Sequence, residues 1–228
     1  MIRLRRRSVT ERTYARSRRR DPATPWREER YAVLDFEATG LDPRVDEIVS
    51  FASVPIDDSR VVPGKASAAL VRPKRMPNAE TIRIHGLRPV DLEGAPDLPG
   101  VIDLILRSLT GRSLVAHVAW VERGFLEAML RPIGLRPPEP IIDTAALAAR
   151  ALAPGGAADE YRPRLADVAR ALGLPVHSPH TATGDALTTA QVFLALATRL
   201  DRSSPQTVGS LAGTDRGRAR FRPKLRAT

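Results

Sequence analysis

Residues Tyr31 to Leu41 read Tyr-Ala-Val-Leu-Asp-Phe-Glu-Ala-Thr-Gly-Leu, and this stretch decides the fold. Tyr31, Val33, Leu34 and Phe36 are strand formers and the run stops at Thr39-Gly40, so Tyr31 to Phe36 reads as a short buried strand. Asp35 and Glu37 stand two positions apart. On a strand such residues project from one face, while Phe36 points the other way into apolar packing. Two carboxylates held this close repel each other and rise in pKa unless a cation sits between them. Oxygen ligands favour magnesium or manganese over zinc, and the chain has no cysteine to offer a soft thiolate site. Taken alone the pair also fits a solvated strand end, so its meaning depends on the other segments of the chain.

Outward from this strand the pattern runs strand, strand, strand, helix, strand, helix, strand, helices. Tyr31 to Phe36, Glu47 to Pro55 and roughly Val61 to Val71 read as an antiparallel meander, with turns at Asp42-Pro43 and Asp57-Asp58-Ser59. Pro99 to Leu109 reads as a helix, Ser113 to His117 as a short buried strand, Val121 to Leu130 as a helix and Ile141 to Asp143 as a last strand. Pro154 to Asp159 is a loop, Arg164 to Leu172 a helix stopped by Gly173, and His177 to Ala182 a polar, proline-broken loop before a helix from Asp185 to Leu200. The expected class is α/β, a mixed sheet of antiparallel meander and parallel strands flanked by helices.

Five segments in this order resemble the DnaQ-like 3′-to-5′ exonucleases of the DEDDh subgroup, among them the proofreading epsilon subunit of DNA polymerase III. Asp35-Phe36-Glu37-Ala38-Thr39-Gly40-Leu41 resembles the family's first motif, and Ile84-His85-Gly86-Leu87 its His-Gly segment. Leu114 to His117 leading to Phe125-Leu126 resembles the second motif, Asp143-Thr144 the closing strand, and His180 with Asp185-Ala186 the third motif. The likeness covers about Tyr31 to Leu200, and it is specific in combination although each segment is weak alone.

The resemblance implies a ribonuclease H-like fold and two divalent cations, Mg2+ or Mn2+, serving an in-line displacement at a terminal nucleotide. Asp35 would bridge both ions, Glu37 and Asp185 would complete one site, and Glu122 would supply the fourth carboxylate. His180 would be the general base, because an imidazole can accept a proton near neutral pH. His177 competes for that role but lies eight positions before Asp185, off the family spacing. Here the second motif reads His117-Val118-Ala119-Trp120-Val121-Glu122, whereas the family pattern is His-Asn-x-x-Phe-Asp. Glu122 keeps the charge but adds a methylene, and Val118 removes an amide. Glu122 pairing with Arg123 on a solvated helix face is the plain alternative. On the substrate side, Thr39, Gly40, Leu41 and His85 are implied by the family, and Trp120 is the one aromatic beside the presumed ions. Turn formation by Gly40 and packing of His85 on Gly86 compete with those assignments.

The 228 residues suffice for one sizeable domain, with no apolar run long enough for a bilayer and no apolar signal segment, so a cytoplasmic protein is expected. The formal net charge of +10 is uneven. Residues 1–30 hold eleven arginines against four acids and residues 201–228 seven basic against two acidic, while the remainder has a surplus of two acids. Residues 1–29 therefore read as a flexible basic arm, 30–200 as the exonuclease-like domain and 201–228 as a second flexible basic tail. Such arms hold polyanions by counterion release without reading sequence, or merely add solubility. Expected partners are single-stranded or 3′-terminal nucleic acid and a DNA polymerase or repair complex. A non-catalytic nucleic-acid-binding or polymerase-associated module on the same fold is the competing reading. DNA against RNA stays open, as does the dimeric state that family members often show.

Overall fold

The computed structural model of the protein describes residues 7–152 and 163–213. In chain order it comprises α1 (Val9–Ser17), β1 (Tyr31–Ala38), β2 (Ile48–Asp57), β3 (Arg60–Val61), β4 (Ser67–Leu70), α2 (Ala79–His85), α3 (Pro89–Leu92) and α4 (Leu98–Leu109). Next come β5 (Ser113–Ala116), α5 (Trp120–Leu130), β6 (Ile141–Asp143), α6 (Thr144–Leu152), α7 (Leu165–Ala171), α8 (Ala182–Asp201) and α9 (Val208–Ala212).

The six strands form one mixed sheet in the order β3-β2-β1-β5-β6, with β4 also paired to β2. β1 runs antiparallel to β2 and parallel to β5, and β5 parallel to β6. The expected third meander strand is broken. Pro63 has no amide to donate and begins a 3-10 turn through Lys65, so β3 and β4 pair separately with β2.

Strand alternation divides the core and places the acids. Tyr31 and Val33 pack on one face with Val192, Phe193 and Leu196 of α8, whereas Ala32, Leu34 and Phe36 pack on the other with Ile105, Leu109, Phe125 and Leu126. Asp35 and Glu37 continue the α8 face. Phe36 meets the Phe125 ring edge-on at 6.4 Å between centroids.

Two expectations about the termini are corrected. Residues Ser8 to Arg30 are folded onto the domain: Ser8 and Glu11 form a reciprocal capping box that starts α1. Tyr14 is fully buried against the α4 side of the core and donates from its hydroxyl to the Arg136 carbonyl at 2.7 Å. Trp26 is buried, its ring edge-on to Phe193, and Tyr31 donates to its carbonyl at 2.6 Å. At the other end Val208 and Leu211 of α9 are buried, and the Val208 and Gly209 amides donate to Thr24 and Pro22. The dense arginines hid this pattern, because α1 needs only Tyr14 and its neighbours to face inward. The packed unit thus runs beyond residues 30 and 200 at both ends. The loop expected at Pro154 to Asp159 lies outside the described residues, as does the tail beyond Gly213.

Tyr14→Ala should lower unfolding stability by about 3 kcal/mol, the scale for emptying a buried aromatic site. Urea titration measures this directly, and a midpoint equal to wild type would mean that α1 is not docked in solution.

Candidate active site

The α8 face of β1 changes from apolar to acidic where α8 begins. Val33 lies under the helix, but Asp35 and Glu37 stand beside its first turn, which carries Asp185. One carboxylate oxygen from each of Asp35, Glu37 and Asp185 lies within 4.8 Å of the other two. The helix N-terminus favours negative charge at Asp185, but burial and mutual repulsion act the other way across the cluster. Burial raises Asp35 well above the carboxylate range, reinforced by Glu122, Glu37 and Asp185. Burial and then Asp185 push Glu37 up to about 7. Asp185 is also raised by burial, although the His180 amide that donates to its Oδ2 at 3.0 Å, and the His180 charge, pull it back.

Glu122 sits in the first turn of α5 and is only 4% exposed, so the surface pairing with Arg123 does not occur; Arg123 bonds Glu127 instead. Its Oε2 is buried without a hydrogen-bond partner. Burial lifts Glu122 to about 8, its own backbone amide opposes this, and Asp143 and Glu37 add to it. Glu122 lies outside the closest carboxylate triad but within its electrostatic reach. An orphaned buried carboxylate oxygen beside three converging ones is a donor set suited to hard divalent cations.

A strand with paired acids near its end, a helix that begins beside a third, and a fourth acid buried from another helix place three carboxylates together with the fourth in electrostatic reach. The RNase_T exonuclease family model matches residues 32–193. The chain belongs to the DnaQ-like exonuclease family. It is 36% identical over 166 residues to a PolC-type DNA polymerase III of Thermotoga petrophila, covering 72% of this chain and 12% of that protein. To the DNA polymerase III subunit epsilon-like protein of Rhodobacter capsulatus it is 33% identical over 191 residues, covering 82% of this chain and 26% of that one. The chain therefore spans about a quarter or less of these relatives' length. Exonuclease X in complex with 5′ overhanging duplex DNA superposes with a TM-score of 0.60 at 25% identity, covering 80% of this chain and 98% of the other. The ribonuclease H-like fold expected from sequence is thereby shown.

The two histidines near Asp185 are separated by their surroundings. His177 is tied to α8, its Nε2 3.1 Å from Gln191 Oε1 and its amide donating to Thr188. His180 is exposed at the tip of the loop, in the left-handed region with φ of 61°. This loop depends on Gly184, a signal that sequence reading passed over. A Cβ there would collide with the His177 and Ser178 carbonyl oxygens.

Asp143 was also passed over as a site residue. Its Oδ1 accepts from the Val118 amide at 3.0 Å and the Ala145 amide at 2.9 Å, which fixes the turn before α5. Beside it Thr144 Oγ1 lies 2.9 Å from His117 Nδ1, while His117 Nε2 faces the Pro163 carbonyl at 2.9 Å. A carbonyl only accepts, so Nε2 carries the proton; burial keeps the ring's pKa below its usual value. Val118 is held at φ of 59°, which a β-branched residue adopts only under strain and an asparagine tolerates.

On the substrate side, Gly40 is required by its own loop: a Cβ would collide with the carboxylate of Asp46, whose Oδ2 accepts from the Asp42 amide and whose Oδ1 accepts from the Thr39 hydroxyl. Leu41 next to it is 68% exposed. Trp120 is half-buried at the start of α5 and belongs to neither core cluster, unlike Phe125, Leu126, Met129 and Leu130. His85 is buried at the end of α2 and accepts from the Leu87 amide at Nδ1, leaving Nε2 without a partner.

The raised carboxyls set a sign for stability against pH. Glu37 and Glu122 bind protons more tightly folded than unfolded, so folding gains from protonation and loses as pH rises from about 4.5 towards 8. In EDTA the Tm should fall across that window, and Mn2+ should restore it most at the alkaline end; a flat EDTA profile contradicts the clustering. Gly184→Ala should reduce nuclease turnover about tenfold or more at a temperature where the variant remains folded, through displacement of the His180 loop. Turnover equal to wild type would show that the loop's path does not matter.

Proposed function

We propose that this chain is a metal-dependent 3′-to-5′ exonuclease that hydrolyses terminal phosphodiester bonds of DNA or RNA and releases nucleoside 5′-monophosphates. The observation that carries this reading is the meeting of Asp35, Glu37 and Asp185 within 4.8 Å beside the buried, partnerless oxygen of Glu122. These four residues would hold two divalent cations, Mg2+ or Mn2+. When bound, such ions acidify the attacking water and stabilise the charge on the leaving oxygen.

The remaining work belongs to the chain. His180, exposed on its loop and linked through its amide to Asp185, takes the proton of the attacking water. Leu41 and Trp120 offer apolar surface to the terminal bases, the Thr39-Gly40 backbone lines the sugar, and His85 Nε2 offers a buried donor. The polymerase III names of the relatives support a polymerase or repair complex as partner, and the DNA bound to exonuclease X supports a nucleic-acid end as substrate. No described helix is long and apolar enough to cross a membrane, which agrees with a cytoplasmic setting.

A second reading, strand binding without hydrolysis, draws on one departure from the family pattern: the strained Val118 precedes a glutamate that stands outside the tight triad. A time course with 5′-labelled DNA and RNA oligonucleotides in Mg2+, Mn2+ or EDTA separates the two. The expected result is a metal-dependent ladder shortening from the 3′ end, abolished by Asp35→Asn or Asp185→Asn and reduced about 100-fold or more by His180→Ala. Intact substrate under every metal, with binding retained, supports the second reading.

A further inference from the structure

We propose that α1 and the turn after α5 form a second nucleic-acid contact surface, separate from the acidic site, that grips the phosphate backbone without reading sequence. Its choice of polyanion rests on the exonuclease reading above.

The arginine-dense segment is folded, and folding sorts its charges. In α1 Tyr14 and Glu11 face inward, while Arg12 and Arg16, four apart, are exposed on the outer side. Arg7 and Arg19 are exposed on either side of the helix. Arg7 donates to the Gly134 carbonyl at 2.7 Å and Tyr14 to that of Arg136, which brings the exposed Arg131 and Arg136 alongside. None of these six arginines is in an ion pair among the described residues. The acids on these segments are fewer: Glu11 is buried and bonded to the Ser8 amide, Glu139 is exposed beside Arg19, and Glu127, exposed four residues before Arg131, bonds Arg123. Like charges gathered on one face oppose folding, and a polyanion is the ligand that relieves them.

The surface lies away from the carboxylates. Ser17 of α1 accepts from the Gly111 amide before β5 begins, whereas the site turn at His117 lies past its other end. Along α5, Glu122 is near the start and Leu130 at the end, eight residues or about 12 Å apart. With phosphates about 3.4 Å apart per strand along a duplex axis, a duplex substrate must extend roughly four nucleotides from the site to reach Arg131 and Arg136, and an extended single strand somewhat fewer. The surface would therefore hold the body of a long substrate while its end is processed.

The test measures binding of a long single-stranded oligonucleotide by anisotropy in EDTA, between about 50 and 200 mM salt, so that no turnover is needed. The triple variant Arg12→Gln, Arg16→Gln, Arg136→Gln should reduce the salt slope by about two, from three lost phosphate contacts at roughly 0.7 each. Arg60, Arg199 and Arg202 are also exposed, and their triple Gln variant removes the same charge elsewhere. That control should keep the wild-type slope, and both triples should bind a dinucleotide as wild type does. Equal slopes in all three proteins, or equal losses in both triples, overturn the proposal, as does a loss confined to anionic phospholipid vesicles. A changed slope in a protein without nuclease activity keeps the surface and removes the exonuclease reading; an active nuclease with an unchanged slope does the reverse.

Discussion

The structure turns on the repulsion among four carboxylates that the sheet and two helices force together. Asp35 and Glu37 share a strand face because side chains alternate, and α8 starts at the level where that face becomes acidic, adding Asp185. Glu122 arrives buried from α5. Burial raises all four above their ordinary values, and a chain without cations must protonate them or bear the repulsion. The rest of the fold maintains this crowding.

Much of that support is polar and local. Asp143 ties the turn before α5 through the Val118 amide while beginning α6, so one carboxylate couples the last strand to the helix bearing Glu122. Gly184 plays the corresponding part at α8, where the absence of a Cβ lets the His177 and Ser178 carbonyls lie over the first turn. Gly40 does so for the loop after β1, under the Asp46 carboxylate. Each device positions a backbone segment rather than a reacting group.

The ends of the packed chain brace each other on the side of α8 away from that chemistry. Trp26 and Phe193 join the approach to β1 to the second half of α8, and α9 returns to donate to Thr24 and Pro22. What composition suggests as two loose basic tails is in part structural, with arginines outside and a few large apolar anchors inside.

The sequence by itself determined the sheet's acidic strand, the helix starting near Asp185 and the order of motifs, because period-two alternation and helix starts are local properties of the chain. The shared face of Asp35 and Glu37 was legible for that reason, whereas Glu122, His180 and Asp185 were singled out by the resemblance to the exonuclease motifs. Tertiary structure alone decided that Glu122 is buried rather than paired with Arg123, that His177 is occupied by Gln191, and that α1 docks through Tyr14. It also decided the roles of Asp143, Gly184 and Gly40, whose partners are defined by where chain segments cross. Local pattern records which way a side chain can point, but only packing determines what it meets there.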